Sequence, residues 1–261
     1  MKPKIITLKK FIYFVFIALL LVLMGYSIYK IAYINEEAKN SISDNKIELS
    51  DIDYKEEDKK EEPETKPTEK ETASKLFSND ADLKAYREKY KNNDIVARLE
   101  IPDLFDILIT KTTDNKFYLN HAIDRKKDKK GTEFLDYRTD PTAKQVNIYG
   151  HNSRTYDIPF RKLEKFLDKD FFESHPYILL QHDSGRRIYK IISIKEVTTD
   201  NEHMNVSASL ENHIEHIDIL KANSIYTRDD AFDENTNILT MQTCSYSGEK
   251  TYYVITAIEL K

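Results

Sequence analysis

Nineteen consecutive uncharged side chains, Phe11 to Tyr29, constrain this chain before any other feature does. At a helical rise of about 1.5 Å per residue they reach roughly 28 Å, close to the hydrocarbon thickness of a bilayer. Lys2, Lys4, Lys9 and Lys10 precede the run, and Glu36 and Glu37 follow it. That asymmetry predicts an N-terminus in the cytoplasm and all later residues outside, with Lys30 stretching its stem to the far interface. The run is longer than the roughly 7 to 15 residues of a secretory leader, and no small-x-small cleavage site follows it. The expectation is an uncleaved single-pass transmembrane anchor with a cytoplasmic stub, residues 1–34.

Residues 35–74 have the opposite character. They carry fourteen acidic residues against seven lysines, with Pro63 and Pro67 and almost no large apolar residue after Leu49. Such a segment buries too little apolar surface to offset the entropy of ordering it. It is expected to be an acidic disordered tether, extended by its own charge.

Residues 75–261 are the size of one domain. Their basic residues are scattered and their charge balance is slightly acidic, which argues against a nucleic-acid partner. An opening helix is expected from about Asp80 to Tyr90, with Ser78, Asn79 or Asp80 as its cap. Short β-rich runs follow at Ile95–Ile101, Ile107–Thr110, Glu133–Tyr137, Val146–Tyr149, Tyr177–His182, Arg187–Val197, Ile238–Thr243 and Tyr252–Leu260. Two more helices fit Pro159–Leu167 and about Ser209–Ala222, the latter with Leu210, Ile214, Ile217 and Leu220 on one face. Lys130-Gly131, Ser184-Gly185 and Ser247-Gly248 mark chain reversals. Eight short strands with inserted helices predict a mainly β fold, a closed or nearly closed barrel.

The chain has one cysteine, Cys244, at the end of the Ile238–Thr243 run. A lone cysteine closes no intrachain disulfide. It is either a small buried hydrophobe or a thiol kept for chemistry. Asn147-Ile148-Tyr149-Gly150-His151-Asn152 places His151 just beyond a strand-like run and a turn glycine. A nucleophile and its base need adjacency only in space.

A membrane-anchored domain with Tyr-Gly-His after one strand, Thr-Cys closing a late strand and a final hairpin beyond it resembles the sortases, the cysteine transpeptidases of Gram-positive cell surfaces. Ile101-Pro102, Asp114-Asn115, Tyr118-Leu119-Asn120-His121 and Phe134-Leu135-Asp136-Tyr137-Arg138 resemble class B sortases in order and spacing, over about residues 80–261. The resemblance implies an eight-stranded sortase barrel with an N-terminal helix and inserted helices. It further implies thiol-protease chemistry on a pentapeptide sorting signal in a secreted protein, followed by transfer to a peptidoglycan precursor or cross-bridge amine, with no cofactor or metal. Cys244 would be the nucleophile and His151 the general acid and base. Asn115, Leu119 and Thr243 would contact the peptide, although Asn115 and Leu119 read equally well as a loop cap and a core leucine. Class B resemblance further implies an Asn-Pro-x-Thr type of signal.

One departure is plain. Sortases carry an arginine on the strand after the cysteine, and none occurs between Cys244 and the C-terminus. Alignment of the closing strand puts Tyr252 there. The expected substitutes are Tyr252 itself, then Lys250 or a distant arginine such as Arg154. The alternatives are a sortase-fold surface-binding domain with weak or no catalysis, and a pilin-polymerising sortase. A papain-like order of cysteine before histidine is excluded, because His151 precedes Cys244. The compact Ser-x-Gly-Cys neighbourhood of L,D-transpeptidases is also missing. Asp136 is expected either to orient a histidine or to serve as a strand-end turn. His213 and His216 lie three apart, but no third ligand is evident, and they are expected on a solvated helix face.

Overall fold

In the computed structural model of the protein, residues 8–39, 67–198 and 212–261 are described. They fall into two units that divide after Ile42. The first holds one helix, α1 (Leu8–Lys39). Its Val15–Tyr33 portion is long and apolar enough to cross a membrane, by length and composition. The bulk of the expected tether, residues 40–66, lies outside the described residues.

The tether boundary needs correction at both ends. Residues 35–39 continue α1, and Glu69–Ser74 form a helix, α2, of the second unit. Thr68 and Glu71 close a reciprocal capping box on α2. Ala73 is fully buried and packs with Phe77 against Leu179 and Ile188. Burial of these side chains outweighs the acidic composition that pointed to disorder.

The second unit is an eight-stranded barrel. Its strands are β1 (Ile95–Ile101), β2 (Phe105–Thr110), β3 (Phe134–Leu135), β4 (Gln145–Tyr149), β5 (Tyr177–His182), β6 (Gly185–Val197), β8 (Ile238–Cys244) and β9 (Tyr252–Glu259), with a two-residue β7 (Tyr226–Thr227) beside β6. The order β5-β1-β2-β3-β4-β8-β9-β6 closes when β6 pairs back with β5, so among the described strands no long edge is left unpaired. Among the described strands, only β2–β3 and β4–β8 are parallel.

Inward positions of the strands, among them Leu99, Ile107, Val146, Ile148, Met241 and Ile255, form one fully buried cluster. Each such side chain contributes about 1.5–3 kcal/mol by leaving water. Pro159–Leu167 is helical as expected, in 3-10 form, and sends Phe160, Leu163 and Phe166 into that cluster. It is followed by α4 (Lys169–Ser174), which periodicity did not reveal.

Two helix readings shift. The opening helix is α3 (Leu83–Tyr90), capped by the side chain of Asp82 on the Ala85 N–H at 3.0 Å. The three expected caps are engaged elsewhere: Ser78 donates to Glu100, the Asn79 carbonyl accepts from Arg98, and Asp80 pairs with Arg186. The late helix is α5 (His213–Lys221), and positions 209–211 of the expected span lie outside the described residues. Its buried face is His213, His216, Ile217 and Leu220, whereas Ile214 is exposed. The solvated face expected for the two histidines is therefore wrong. His213 Nε2 meets the Thr236 carbonyl at 2.6 Å and His216 Nε2 meets Gln145 Oε1 at 2.9 Å. Satisfied polar bonds let imidazole occupy the buried face from which Ile214 is turned away.

Candidate active site

The parallel pairing of β4 and β8 builds the site. Asn147 lies opposite Thr240 and Tyr149 opposite Gln242, and the Gly150 N–H extends the ladder to the Gln242 carbonyl at 3.1 Å. His151 and Cys244 each follow that last pair by two residues, so equal offsets along parallel strands carry imidazole and thiol out at one level of the barrel. Both line a single cavity of about 260 Å³, together with Asn115, Leu119, Phe134, Tyr149, Thr243 and Tyr252.

Two glycines make room for the histidine. A Cβ on Gly150 would lie 2.6 Å from the Phe160 ring and 2.8 Å from Glu133 Cγ. Gly131, at φ +66°, packs where a Cβ would sit 2.5 Å from the Tyr118 carbonyl and 3.0 Å from the His151 ring. His151 Nε2 is 2.6 Å from the Leu119 carbonyl. A carbonyl only accepts, so Nε2 carries the hydrogen and Nδ1 is the nitrogen that gains and loses a proton.

Cys244 is half-buried. Burial pushes its thiol above the ordinary range, against a smaller opposing pull from the backbone N–H of Asn152. The Asn152 side chain ties the histidine loop to the cysteine strand, donating to the Cys244 carbonyl at 2.8 Å and to Glu164 at 2.6 Å. Tyr246 closes the same corner through its hydroxyl, 2.7 Å from the Asn152 carbonyl, with the Arg154 guanidinium 4.7 Å from its ring centre.

The structure separates the sequence candidates. Cys244, His151, Tyr252, Asn115, Leu119 and Thr243 all line the cavity. Leu119 is 38% exposed, which discards the core-leucine alternative. Thr243 is buried at 1% exposure, on the strand face that carries Met241 into the core. Lys250 and Arg154 are not among the lining residues; Lys250 sits at φ +56° in an exposed turn and Arg154 stacks on Tyr246. Asp136 touches no histidine in its bonds: it holds Arg138, Tyr149 and Asn115. Tyr149, Phe134 and Asn152 escaped the sequence reading, although Tyr149 and Asn152 flank the Gly-His pair that drew attention to this loop.

A family description, the sortase domain, matches residues 100–259. Sortase B of Listeria monocytogenes is 33% identical over 170 residues, 62% of this chain and 66% of that protein, so the match spans just under two thirds of the relative's length. Among solved structures, a mutant form of Clostridium perfringens sortase B superposes with a TM-score of 0.63 at 24% identity, covering 68% of this chain and 88% of that one. The Staphylococcus aureus sortase B–substrate complex gives 0.62 at 22% identity, with 69% and 84% covered. Both share the fold of the barrel described above. This chain belongs to the sortase family, and the relatives it resembles are sortases B.

Proposed function

We propose that the protein is a membrane-anchored transpeptidase of class B type, held by residues 1–34 with its N-terminus in the cytoplasm and its catalytic domain, residues 75–261 with α2 added, outside the cell. It cleaves a C-terminal sorting signal of a secreted protein and passes the acyl group to a cell-wall amine. The observation that carries this reading is the convergence of Cys244, His151 and Tyr252 on one cavity at the end of the β4–β8 pair.

The chemistry follows from the groups present. The Cys244 thiolate attacks the threonine carbonyl carbon of the signal, the amide C–N bond breaks, and His151 Nδ1–H protonates the departing amine. The product is a thioester. An incoming amine then attacks the same carbon, His151 takes its proton, and the C–S bond breaks to restore the thiolate. The raised Cys244 thiol means that only a fraction of the resting protein holds thiolate beside imidazolium. Tyr252, on the strand paired with the cysteine, is assigned as the neutral donor to the tetrahedral oxyanion.

The solved Staphylococcus aureus relative is a substrate complex, which supports a peptide in the corresponding groove. The acceptor, a peptidoglycan precursor, a cross-bridge amine or a pilin lysine, is named here by its shared chemistry: an unprotonated primary amine. The missing arginine favours one second reading, a surface-binding module of sortase fold with weak catalysis. The test is cleavage of fluorogenic Asn-Pro-x-Thr peptides with and without added triglycine. Turnover that Cys244→Ala abolishes, with a transpeptidation product appearing in triglycine, supports the enzyme. Peptide binding without turnover supports the binding module.

A further inference from the structure

Asp136 stands behind the groove without lining it. The residue is fully buried, and its carboxylate accepts five hydrogen bonds. The Arg138 side chain donates to Oδ1 at 2.8 Å and to Oδ2 at 2.7 Å, and the Arg138 backbone N–H to Oδ1 at 2.9 Å. The other two donors are cavity residues: Asn115 Nδ2 at 3.1 Å and the Tyr149 hydroxyl at 2.9 Å, both on Oδ2. Burial alone would favour the neutral acid, but these bonds outweigh it and hold the carboxyl at about 2.

A carboxylate only accepts, so each of its partners is forced to donate. Asn115 must therefore turn its NH₂ toward Asp136, and its Oδ1 is taken by the Tyr137 N–H at 3.0 Å. What remains to the amide is a second N–H, a donor suited to a peptide carbonyl. The Tyr149 hydroxyl proton goes to Asp136 and its oxygen meets the Asn147 side chain, which leaves that residue an aromatic face toward the cavity. With a neutral or missing side chain at 136, only the Tyr137 N–H still fixes the Asn115 amide, and a flip that presents oxygen to a peptide carbonyl is opposed by one hydrogen bond instead of two.

We propose that Asp136 is a positioning residue for substrate: through Asn115 and Tyr149 it sets the hydrogen-bonding polarity of the groove, so that Asn115 donates to a backbone carbonyl of the bound peptide. This rests on the sorting-peptide reading above.

The test uses the full chain in detergent micelles and a fluorescein-labelled Asn-Pro-Ala-Thr-Gly peptide. On a Cys244→Ala background, binding is read by polarisation without turnover. Adding Asp136→Asn is expected to raise Kd about tenfold, the upper range for one neutral hydrogen bond. In the Cys244 protein the same change raises KM more than it lowers kcat, and methanethiosulfonate labels Cys244 at an unchanged rate. The effect must shrink when Asn115→Ala is already present, because Asp136 acts in part through that amide. Should Asp136→Asn fail to fold, Arg138→Gln loosens the carboxylate from a partly exposed position and weakens binding in the same sense. Unchanged Kd and KM overturn the proposal, as does a loss that persists in full beside Asn115→Ala. If the Cys244→Ala parent binds no peptide and the unaltered chain cleaves none, the sorting-peptide reading itself fails and takes this proposal with it.

Discussion

Cys244 and Tyr252 stand directly opposite each other in the β8–β9 ladder, the last pair of a seven-residue register that begins at Ile238 and Ile258. Opposed residues of an antiparallel pair share a face, with Cβ atoms about 4.5–5.5 Å apart. The turn that joins them is held by the Ser245 N–H on the Thr251 carbonyl at 3.0 Å and by the Ser245 hydroxyl on Thr251 Oγ1 at 2.6 Å. A phenol-bearing residue thus stands across the ladder from the thiol-bearing one, and both line the same cavity. It brings one donor and no charge.

If Tyr252 supplies the oxyanion donor, Tyr252→Phe lowers kcat for peptide cleavage by roughly 100-fold, the usual loss for one such group. KM changes little, because the bond strengthens in the transition state. Tyr252→Arg, which returns a charged donor of similar reach, matches or exceeds the unaltered protein. Steady-state kinetics on the three proteins decide the matter, and a Phe variant of full rate removes Tyr252 from the mechanism.

The pH dependence of thiol reactivity has a definite sign. Burial raises the Cys244 thiol above its ordinary value and the Asn152 N–H only partly offsets this, so thiolate is scarce at neutral pH. The rate of iodoacetamide labelling is expected to climb about tenfold per pH unit from 6 upward and to be still climbing at pH 8.5, where an unperturbed thiol has half-ionised. A plateau reached below pH 7 would instead mean a stable thiolate–imidazolium pair in the resting protein.

Gly150 is held by contact, because its backbone lies against Phe160 and Glu133 with no space for a methyl. Gly150→Ala must push Phe160 out of the barrel core or displace the strand end that carries His151. Overpacking of this kind destabilises by about 1–3 kcal/mol. The expected result is a lower urea midpoint together with a fall in kcat, since the His151–Leu119 bond depends on the same loop. Normal turnover in a destabilised variant would separate the glycine from the histidine's placement.

How far these features were legible in the sequence depends on whether neighbours in the chain or neighbours in space fix them. The strands at Ile95–Ile101 and Tyr177–His182 matched residue for residue, because apolar β-branched runs bounded by polar turns declare themselves locally. The ladder register sets Tyr252 opposite Cys244. The buried faces of α5 and α2 did not declare themselves in this way. His213 and His216 are polar by composition and become core residues only because Thr236 and Gln145 stand opposite them. Asp136 was visible as a residue of interest, but its partners lie 21 and 13 positions away, and nothing in the local sequence distinguishes a carboxylate that orients a histidine from one that orients an amide. The family resemblance supplied the pairing of Cys244 with His151, which spacing alone left open.

Arg98 tests the electrostatics of the barrel wall. Its guanidinium is fully buried, yet it meets Asp106 Oδ1 at 2.7 Å, Glu100 Oε2 at 2.7 Å and the Asn79 carbonyl at 2.6 Å. Removing one member of such a set strands the others, so Arg98→Met is expected to cost about 3–5 kcal/mol at pH 7. The pH dependence of that loss follows from Glu100. Burial raises its carboxyl and the Arg98 charge pulls it down; without Arg98 it rises further. A carboxyl raised in the folded state favours folding only when protonated, so its penalty is absent below the unfolded value near 4.3 and grows as pH climbs through the raised folded value. The deficit of Arg98→Met should therefore shrink between pH 7 and pH 5, and Arg98→Met with Glu100→Gln should recover part of it at pH 7. Urea unfolding of the full chain at the two pH values measures both. A deficit equal at pH 7 and pH 5 would mean that lost packing of the arginine stem, and not the stranded carboxylate, accounts for the instability.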